Sequence, residues 1–198
     1  MSYNGFIISL ENTVMHNQII QQVNTWLDQV VIGLNLCPFA AKPQRANQIH
    51  LHVFSGKSDK DLLECLQQAM LELEAKPAQE RETTVIIIEN HLKSFEDYNQ
   101  FLDLSDALLE QEDWHGIIQL ASFHPQYQFA GTQPQDPENL TNRAPYPLLH
   151  LIREDSIEDV LSKYPNPEAI PETNIKRMQS LTQQDKLRLF PFLFGGKA

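Results

Sequence analysis

Apolar residues near the start of the chain recur every three or four positions, which is the period of an amphipathic helix. The pattern begins near Val14, continues to Ile32 and stops at Gly33, a residue type common just past helix ends. The positions that form the stripe are Ile19, Ile20, Val23, Trp26, Leu27, Val30 and Leu34. We therefore predict a helix over residues 14–33 with one face packed on a core.

Four later segments have patterns typical of β-strands. In residues 49–54 apolar positions alternate with His50 and His52, which predicts a strand with one polar face at the edge of a sheet. Residues 85–88, Val-Ile-Ile-Ile, are apolar on both faces, as in the central strand of a covered sheet. The other two predicted strands are residues 117–123 and 148–152.

Helical patterns lie between and after these strands. Ser58 and Ser94 are favourable N-cap residues, and apolar residues at helical spacing follow each of them. Two more helices are predicted, one starting near Asp155 and a last one around Met178. Because strands and helices alternate as in βαβ units, we predict an α/β fold with a four-stranded, mostly parallel sheet covered by helices. The pattern leaves the direction of the fourth strand open.

Residues 124–147, which we call the long segment, separate the third and fourth predicted strands. They are irregular and rich in Pro, Gln, Asn and Thr. Connections this long inside a compact domain are usually functional or disordered. The aromatic residues Tyr127, Phe129 and Tyr146 favour a packed, ordered segment.

Composition and charge narrow the class of protein. The 198 residues suit one globular domain, with 41% hydrophobic and 21% charged residues. The formal net charge is −11 and no Lys/Arg cluster interrupts it. Such a surface repels phosphate backbones and anionic lipids, so we expect neither a nucleic-acid partner nor a membrane partner.

The compartment is predicted from the cysteines and from missing signals. No apolar run is long enough to span a bilayer, and the N-terminus has no secretory signal pattern. Cys37 and Cys65 form no C-x-x-C pair, so we expect two free thiols in a reducing environment. These observations predict a cytoplasmic location.

Candidate chemistry lies at the predicted strand ends, because open α/β sheets bind ligands beyond the carboxyl ends of their strands. His124 ends a strand and opens the long segment, a suitable place for a general acid or base. Arg143 stands before a stiff Pro-Tyr-Pro stretch, so it is a candidate for bidentate binding of carboxylate or phosphate. The alternatives are a histidine that caps backbone groups and an arginine that pins the loop through a salt bridge.

Cys37 is a candidate nucleophile or metal ligand because it lies outside the first helix and directly before Pro38. The alternative is a small buried hydrophobic residue, which is the common state of a free cysteine. Cys65 lies in a helical apolar stripe and is predicted to be core. His50 and His52 share one strand face and could bind a metal, but we favour a solvent-facing edge strand.

Three blocks that carry these residues resemble the signature of an uncharacterised family of small proteobacterial proteins of unknown function. The blocks are residues 33–40 (GLNLCPFA), residues 121–132 (ASFHPQYQFAGT) and residues 141–154 (TNRAPYPLLHLIRE). The resemblance covers nearly the whole chain after residue 13. It implies one bacterial domain over residues 14–198 with residues 1–13 as an N-terminal extension, and it implies no particular activity.

Our leading hypothesis is a small enzyme that acts on an anionic metabolite. Cys37 would be the nucleophile or redox thiol, His124 the acid/base and Arg143 the anion clamp, with His150 or Glu89 orienting. We expect the first three side chains within roughly 10–12 Å of each other around one pocket. The candidate substrate-binding residues are Asn142, Arg143, Tyr146, His150, Arg153 and Glu89.

Two alternatives remain open from the residues alone. The first is a non-catalytic binding or assembly module in which these residues hold the long segment against the sheet. The second is a metal-binding protein that uses Cys37 together with histidines. No familiar cofactor motif is present in the sequence, so the cofactor is unknown, and the oligomeric state is equally open.

Overall fold

The computed structural model describes the backbone of residues 3–195 and the side chains of residues 13–195. The strands are β1 (Ile49–Phe54), β2 (Thr83–Ile88), β3 (Ile118–Phe123) and β4 (Leu148–Arg153). The helices are α1 (Tyr3–Trp26), α2 (Ala41–Arg45), α3 (Asp59–Ala75), α4 (Phe95–Gln111), α5 (Glu154–Leu161), α6 (Ile170–Gln179), α7 (Gln183–Leu189) and α8 (Pro191–Phe194). A π-helical segment, Leu27–Ile32, continues α1, and short 3₁₀ helices cover Pro137–Asn142 and Pro167–Ala169.

The four strands form one mixed sheet in the order β1-β2-β4-β3. β1 and β2 are parallel, with Ile49 opposite Thr83, whereas β4 is antiparallel to both of its neighbours. The prediction of an α/β fold with four strands is confirmed, but the prediction of a mostly parallel sheet is wrong. The reason is that the long segment does not cross over the sheet. It leaves β3 at Phe123 and enters β4 at Leu148, its direct partner, so the chain reverses direction.

Helices cover both faces of the sheet, as predicted. Val85, Ile87 and Leu148 point to a core built by α1, the π-helical segment and α6 to α8, which we call the α1 face. Ile86 and Leu149 point to a second core built by α3 and α4, which we call the α3–α4 face. β2 is buried at every position and β1 lies at the sheet edge, which confirms both predictions.

Helix boundaries agree with the predicted caps. The Ser58 and Ser94 hydroxyls accept hydrogen bonds from the backbone N–H groups of Asp61 and Asp97. Five of the seven stripe residues are buried, while Ile20 and Leu34 are half-buried. The helical path ends at Gly33 as predicted, although α1 begins earlier, at Tyr3. None of the helices within residues 3–195 is long and apolar enough to cross a membrane.

The short helices α2, α7 and α8 are differences from the prediction. No sequence pattern predicts helices at these positions. Pro191 occupies the first turn of α8, where its missing N–H is not needed. Thr182 starts α7 with a reciprocal capping box to Asp185. The predicted last helix around Met178 is α6, and the chain then turns into α7 and α8.

Candidate functional site

β1, β2 and β3 end at one end of the sheet, and β4 begins there; we call it the carboxyl end. The backbone N–H of Glu89 donates to the carbonyl of Phe54, and that of Ile88 donates to the carbonyl of Pro147, at 3.0 Å each. The ends of β1 and β2 and the approach to β4 therefore meet, as the sequence predicts for strand ends. His124 follows β3 at the same end.

His124 is fully buried, and both of its ring nitrogens are used by the backbone. Nε2–H donates to the carbonyl of Leu92 at 3.1 Å, and Nδ1 accepts from the N–H of Gln126 at 2.9 Å. We assign the proton to Nε2 because its partner can only accept. The ring also packs against Phe95 and Tyr98, and burial lowers its pKa. These contacts favour the alternative in which this histidine caps backbone groups.

Cys37 packs against the core of the α1 face, whereas the partners of His124 belong to the α3–α4 face. Burial raises the pKa of the Cys37 thiol, which opposes formation of the thiolate nucleophile. The two side chains thus pack into cores on opposite faces of the sheet. These contacts do not join them into the shared pocket that we expect from the sequence.

We expect Cys37 to react slowly with a thiol reagent such as DTNB at pH 7.5 in the folded protein. Burial keeps it protonated, and the pKa of Cys65 is raised to about 11 by the same cause. The variants Cys37→Ser and Cys65→Ser each leave one thiol and assign the rates. Both thiols should react at least about 10-fold faster in urea, where desolvation is lost. If Cys37 reacts as fast in the folded protein as in the unfolded chain, that result would support the nucleophile hypothesis.

Arg143 holds the long segment through backbone carbonyls and not through a carboxylate. Its Nε–H donates to the carbonyl of Tyr127 at 3.1 Å, and Nη2 donates to that of Pro134 at 2.5 Å. Half-burial lowers the pKa of the guanidinium. Two of its five N–H donors are therefore used, and the other three have no partner among residues 13–195.

A cavity of about 340 Å³ lies beside this guanidinium. One wall is the long segment, with Asp136, Leu140 and Arg143, and the other is formed by the C-terminal helices. Lys186 of α7 lines the cavity and forms no ion pair with any carboxylate in the described part of the chain. The remaining lining residues are Pro134, Gln135, Pro137, Gln183 and Phe194.

A second polar group lies at the carboxyl end of β1 and β2, under α1. The Ser55 hydroxyl is 2.7 Å from Glu89 Oε2 and 2.9 Å from His16 Nε2. Farther along α1, the Tyr146 hydroxyl donates to Gln22 Oε1 at 2.6 Å, and the Trp26 indole N–H donates to the Arg143 carbonyl at 3.0 Å.

Glu89 and Tyr146 are predicted site residues, whereas His16 is not. His16 precedes Ile20 by one helical turn, on the same stripe, and that position is the signal that could have suggested it.

The other predicted residues lie apart from these two groups. Asn142 ties the long segment to β3, because its side chain donates to the carbonyl of Ser122 at 3.1 Å. Arg153 ends β4 at the opposite end of the sheet, since β4 is antiparallel. There it donates to the carbonyls of Lys76 and Arg81 at 2.5 and 3.2 Å.

Three histidines, at positions 50, 52 and 150, lie on the strands of the sheet. His150 lies in the middle of β4, between Val85 and Ala121, and its buried Nε2 has no hydrogen-bond partner. His50 and His52 lie on the edge strand, and partial burial lowers the pKa of both. Within the described residues, no group of three or more His, Cys, Asp or Glu side chains could hold a metal ion.

The fold and these contacts define an α/β domain with a mixed four-stranded sheet and a long, internally bonded connection over its carboxyl end. A family model described as "Protein of unknown function (DUF1415)" matches residues 18–188, and the chain belongs to this family. The match includes Ser55, Glu89, Arg143 and Lys186 and begins just after His16. No match was found among curated proteins or among solved structures.

Proposed function

We propose that this protein binds a small anionic molecule in the cavity between the long segment and the C-terminal helices. Arg143 and Lys186 would be the two cationic groups that contact the anion. The observation that carries this proposal is that both line one cavity of about 340 Å³ and neither forms an ion pair with a described carboxylate.

These two cations lie close together in a chain whose net charge is −11. The protein has 26 acidic and 15 basic residues, so carboxylates are abundant. Some of the other cations pair with carboxylates, such as Arg81 with Glu72 at 2.9 Å and Lys163 with Asp159 at 2.6 Å. The positive charges of Arg143 and Lys186 repel each other beside the cavity, and an anion bound between them offsets this repulsion. Asp136 lines the same cavity, but its carboxylate accepts from the N–H of Gln133 at 2.7 Å.

The lining favours a carboxylate or phosphate group on a small carbon skeleton. A guanidinium binds planar or tetrahedral oxyanions through paired N–H groups, and an ammonium adds a second charge. Gln135 and Gln183 offer neutral donors, while Leu140 and Phe194 offer apolar surface. A cavity of this size lies in the range of small-metabolite sites.

The proposal assigns no catalytic step to Cys37 or His124. The imidazole of His124 has no free ring nitrogen, and burial raises the pKa of Cys37. Their contacts support the binding-module alternative, in which both residues help to pack the segments around the sheet. Arg143 is the predicted anion clamp, and its place in the cavity lining supports this part of the sequence hypothesis.

Isothermal titration with citrate and with inorganic phosphate, at constant ionic strength, tests the proposal. We expect Lys186→Gln to weaken binding by about 10-fold, which corresponds to roughly 1.4 kcal/mol. The matched control is Lys42→Gln, which removes the same charge from an exposed lysine of α2. Equal weakening by both variants would show a general charge effect, and no binding of either anion at millimolar concentration would also refute the proposal.

A further inference from the structure

Ser55 and Glu89 occupy equivalent places after β1 and β2, which are parallel neighbouring strands. Ser55 directly follows β1 in the turn that leads to α3, and Glu89 directly follows β2. Ligand sites of α/β sheets lie beyond such adjoining carboxyl ends. The anion cavity described above is lined by other residues, so this is a separate place on the molecule.

The hydrogen bonds around Ser55 define where its proton points. A serine has one O–H, and the closer, charged acceptor is Glu89 Oε2 at 2.7 Å. The hydroxyl oxygen then accepts from His16 Nε2–H, which lies 2.9 Å away, and His16 Nε2 is 3.8 Å from Glu89 Oε2. The side chain of Glu89 is only 12% exposed, while Ser55 is exposed. A shielded base thus contacts a hydroxyl that a substrate can reach.

Backbone donors follow the hydroxyl directly. The N–H groups of Gly56 and Lys57 donate to no acceptor within the described part of the chain, so they are free to bind a developing oxyanion. A Cβ at position 56 would overlap the ring of Phe54, which explains why this turn has a glycine.

From this arrangement we infer that Ser55 is a nucleophile for acyl transfer from esters, with Glu89 as its general base. The Ser55 oxygen bonds to the ester carbonyl carbon while its proton passes to Glu89. The C–O bond to the alcohol then breaks, and the alcohol leaves with the proton from Glu89. Water attacks the acyl-serine, its proton returns through Glu89 to the serine oxygen, and the acid is released. The sum is ester plus water giving acid plus alcohol.

Charges of both signs lie near Ser55, because Lys57 is in the same turn and the Lys93 ammonium donates to the Glu89 carbonyl at 2.6 Å. Glu89 carries a carboxylate next to the hydroxyl, and Asp59 and Asp61 stand in the first turn of α3. The chain as a whole has a net charge of −11. The negative net charge of the chain disfavours a polyanionic substrate, so we take an uncharged ester as the substrate class.

Labelling with a fluorophosphonate probe, followed by intact mass and peptide analysis, tests the inference. The wild type should gain one adduct, located on Ser55, with loss of fluoride. Ser55→Ala should gain none, and Glu89→Gln should react about 100-fold more slowly because the base is lost. The matched control is Ser162→Ala, which removes an exposed hydroxyl bonded within α5 and its C-terminal turn, and it should label like the wild type.

The melting temperature of each variant shows whether it is folded, so loss of labelling can be separated from unfolding. Ser55→Ala should stay folded because Ser55 is exposed, and Glu89→Gln should stay folded because glutamine has the same size as glutamate. An unlabelled wild type would overturn the inference, and so would an adduct that persists in Ser55→Ala. A drop in melting temperature of both variants without wild-type labelling would show that the three side chains only fasten α1 to the sheet. Labelling is measured without citrate or phosphate, so its outcome does not depend on anion binding in the Arg143 cavity.

Discussion

Replacement of Tyr98 by Phe is expected to lower the free energy of unfolding by about 2–4 kcal/mol. Tyr98 is fully buried in the α3–α4 face. Its hydroxyl donates to the carbonyl of Leu148 at 2.6 Å and accepts from the N–H of Phe123 at 3.1 Å. One oxygen therefore satisfies two backbone groups, at the end of β3 and the start of β4. Phenylalanine fills the same space but removes both of these hydrogen bonds.

Urea denaturation of Tyr98→Phe beside Tyr164→Phe measures this effect. The Tyr164 hydroxyl has no hydrogen-bond partner among residues 13–195, so its removal should change stability by less than about 0.5 kcal/mol. Both variants lose one oxygen, so the difference reports the two buried hydrogen bonds. If Tyr98→Phe is as mild as Tyr164→Phe, the hydroxyl does not join the two strands as described.

The second large effect is a loss of stability in acid that comes from His150. Burial lowers the pKa of His150 to about 4, below the ordinary value of 6.5. Between these pH values the unfolded chain binds a proton that the folded chain does not. The stabilisation is therefore complete above pH 6.5 and falls as the pH drops towards 4, by about 3 kcal/mol.

His150→Leu is expected to remove that part of the pH dependence. The neighbouring positions are Val85 and Ala121, and the variant replaces a buried nitrogen that has no partner by apolar atoms. The control is His115→Leu, at an exposed histidine.

Urea denaturation of both variants and the wild type at several pH values between 7 and 4 gives the comparison. The His50, His52 and His124 contributions run in the same direction, because burial lowers the pKa of each. These three contributions are the same in both variants and in the wild type, so they cancel when the pH dependences are compared. An unchanged pH dependence in His150→Leu would contradict the assignment.

The local patterns in the sequence are sufficient to predict most elements. β2 is predicted because residues 85–88 are β-branched and apolar on both faces, and it is buried throughout. Ser58 and Ser94 predict the starts of α3 and α4 because their hydroxyls satisfy helix N–H groups. These features depend on neighbours within one or two turns.

Strand order depends on contacts that no local pattern encodes. β4 lies between β2 and β3 because the long segment returns the chain beside β3 at the same end of the sheet. A hydrophobic strand fits equally well as a parallel or an antiparallel neighbour. The direction of β4, and the placement of Arg153 away from the carboxyl end, therefore could not be predicted.

The candidate sites also combine residues that local patterns predict with residues that only the fold brings together. Arg143 and Glu89 are predicted because the strand ends and the stiff Pro-Tyr-Pro stretch single them out. His124 has the sequence context of a catalytic histidine, and only its two backbone partners favour a structural role. Lys186 reaches the Arg143 cavity from a helix that the sequence pattern does not predict, and His16 meets Ser55 across 39 residues of chain.

The claim that the Arg143 cavity binds an anion is tested most directly by mapping backbone amide chemical shifts during a titration with citrate. The predicted result is saturable shifts concentrated at residues 134–143 and 183–186, which are lost in Lys186→Gln and kept in Lys42→Gln. Saturable shifts confined to other parts of the chain, such as residues 56–59 at the start of α3, would contradict the claim.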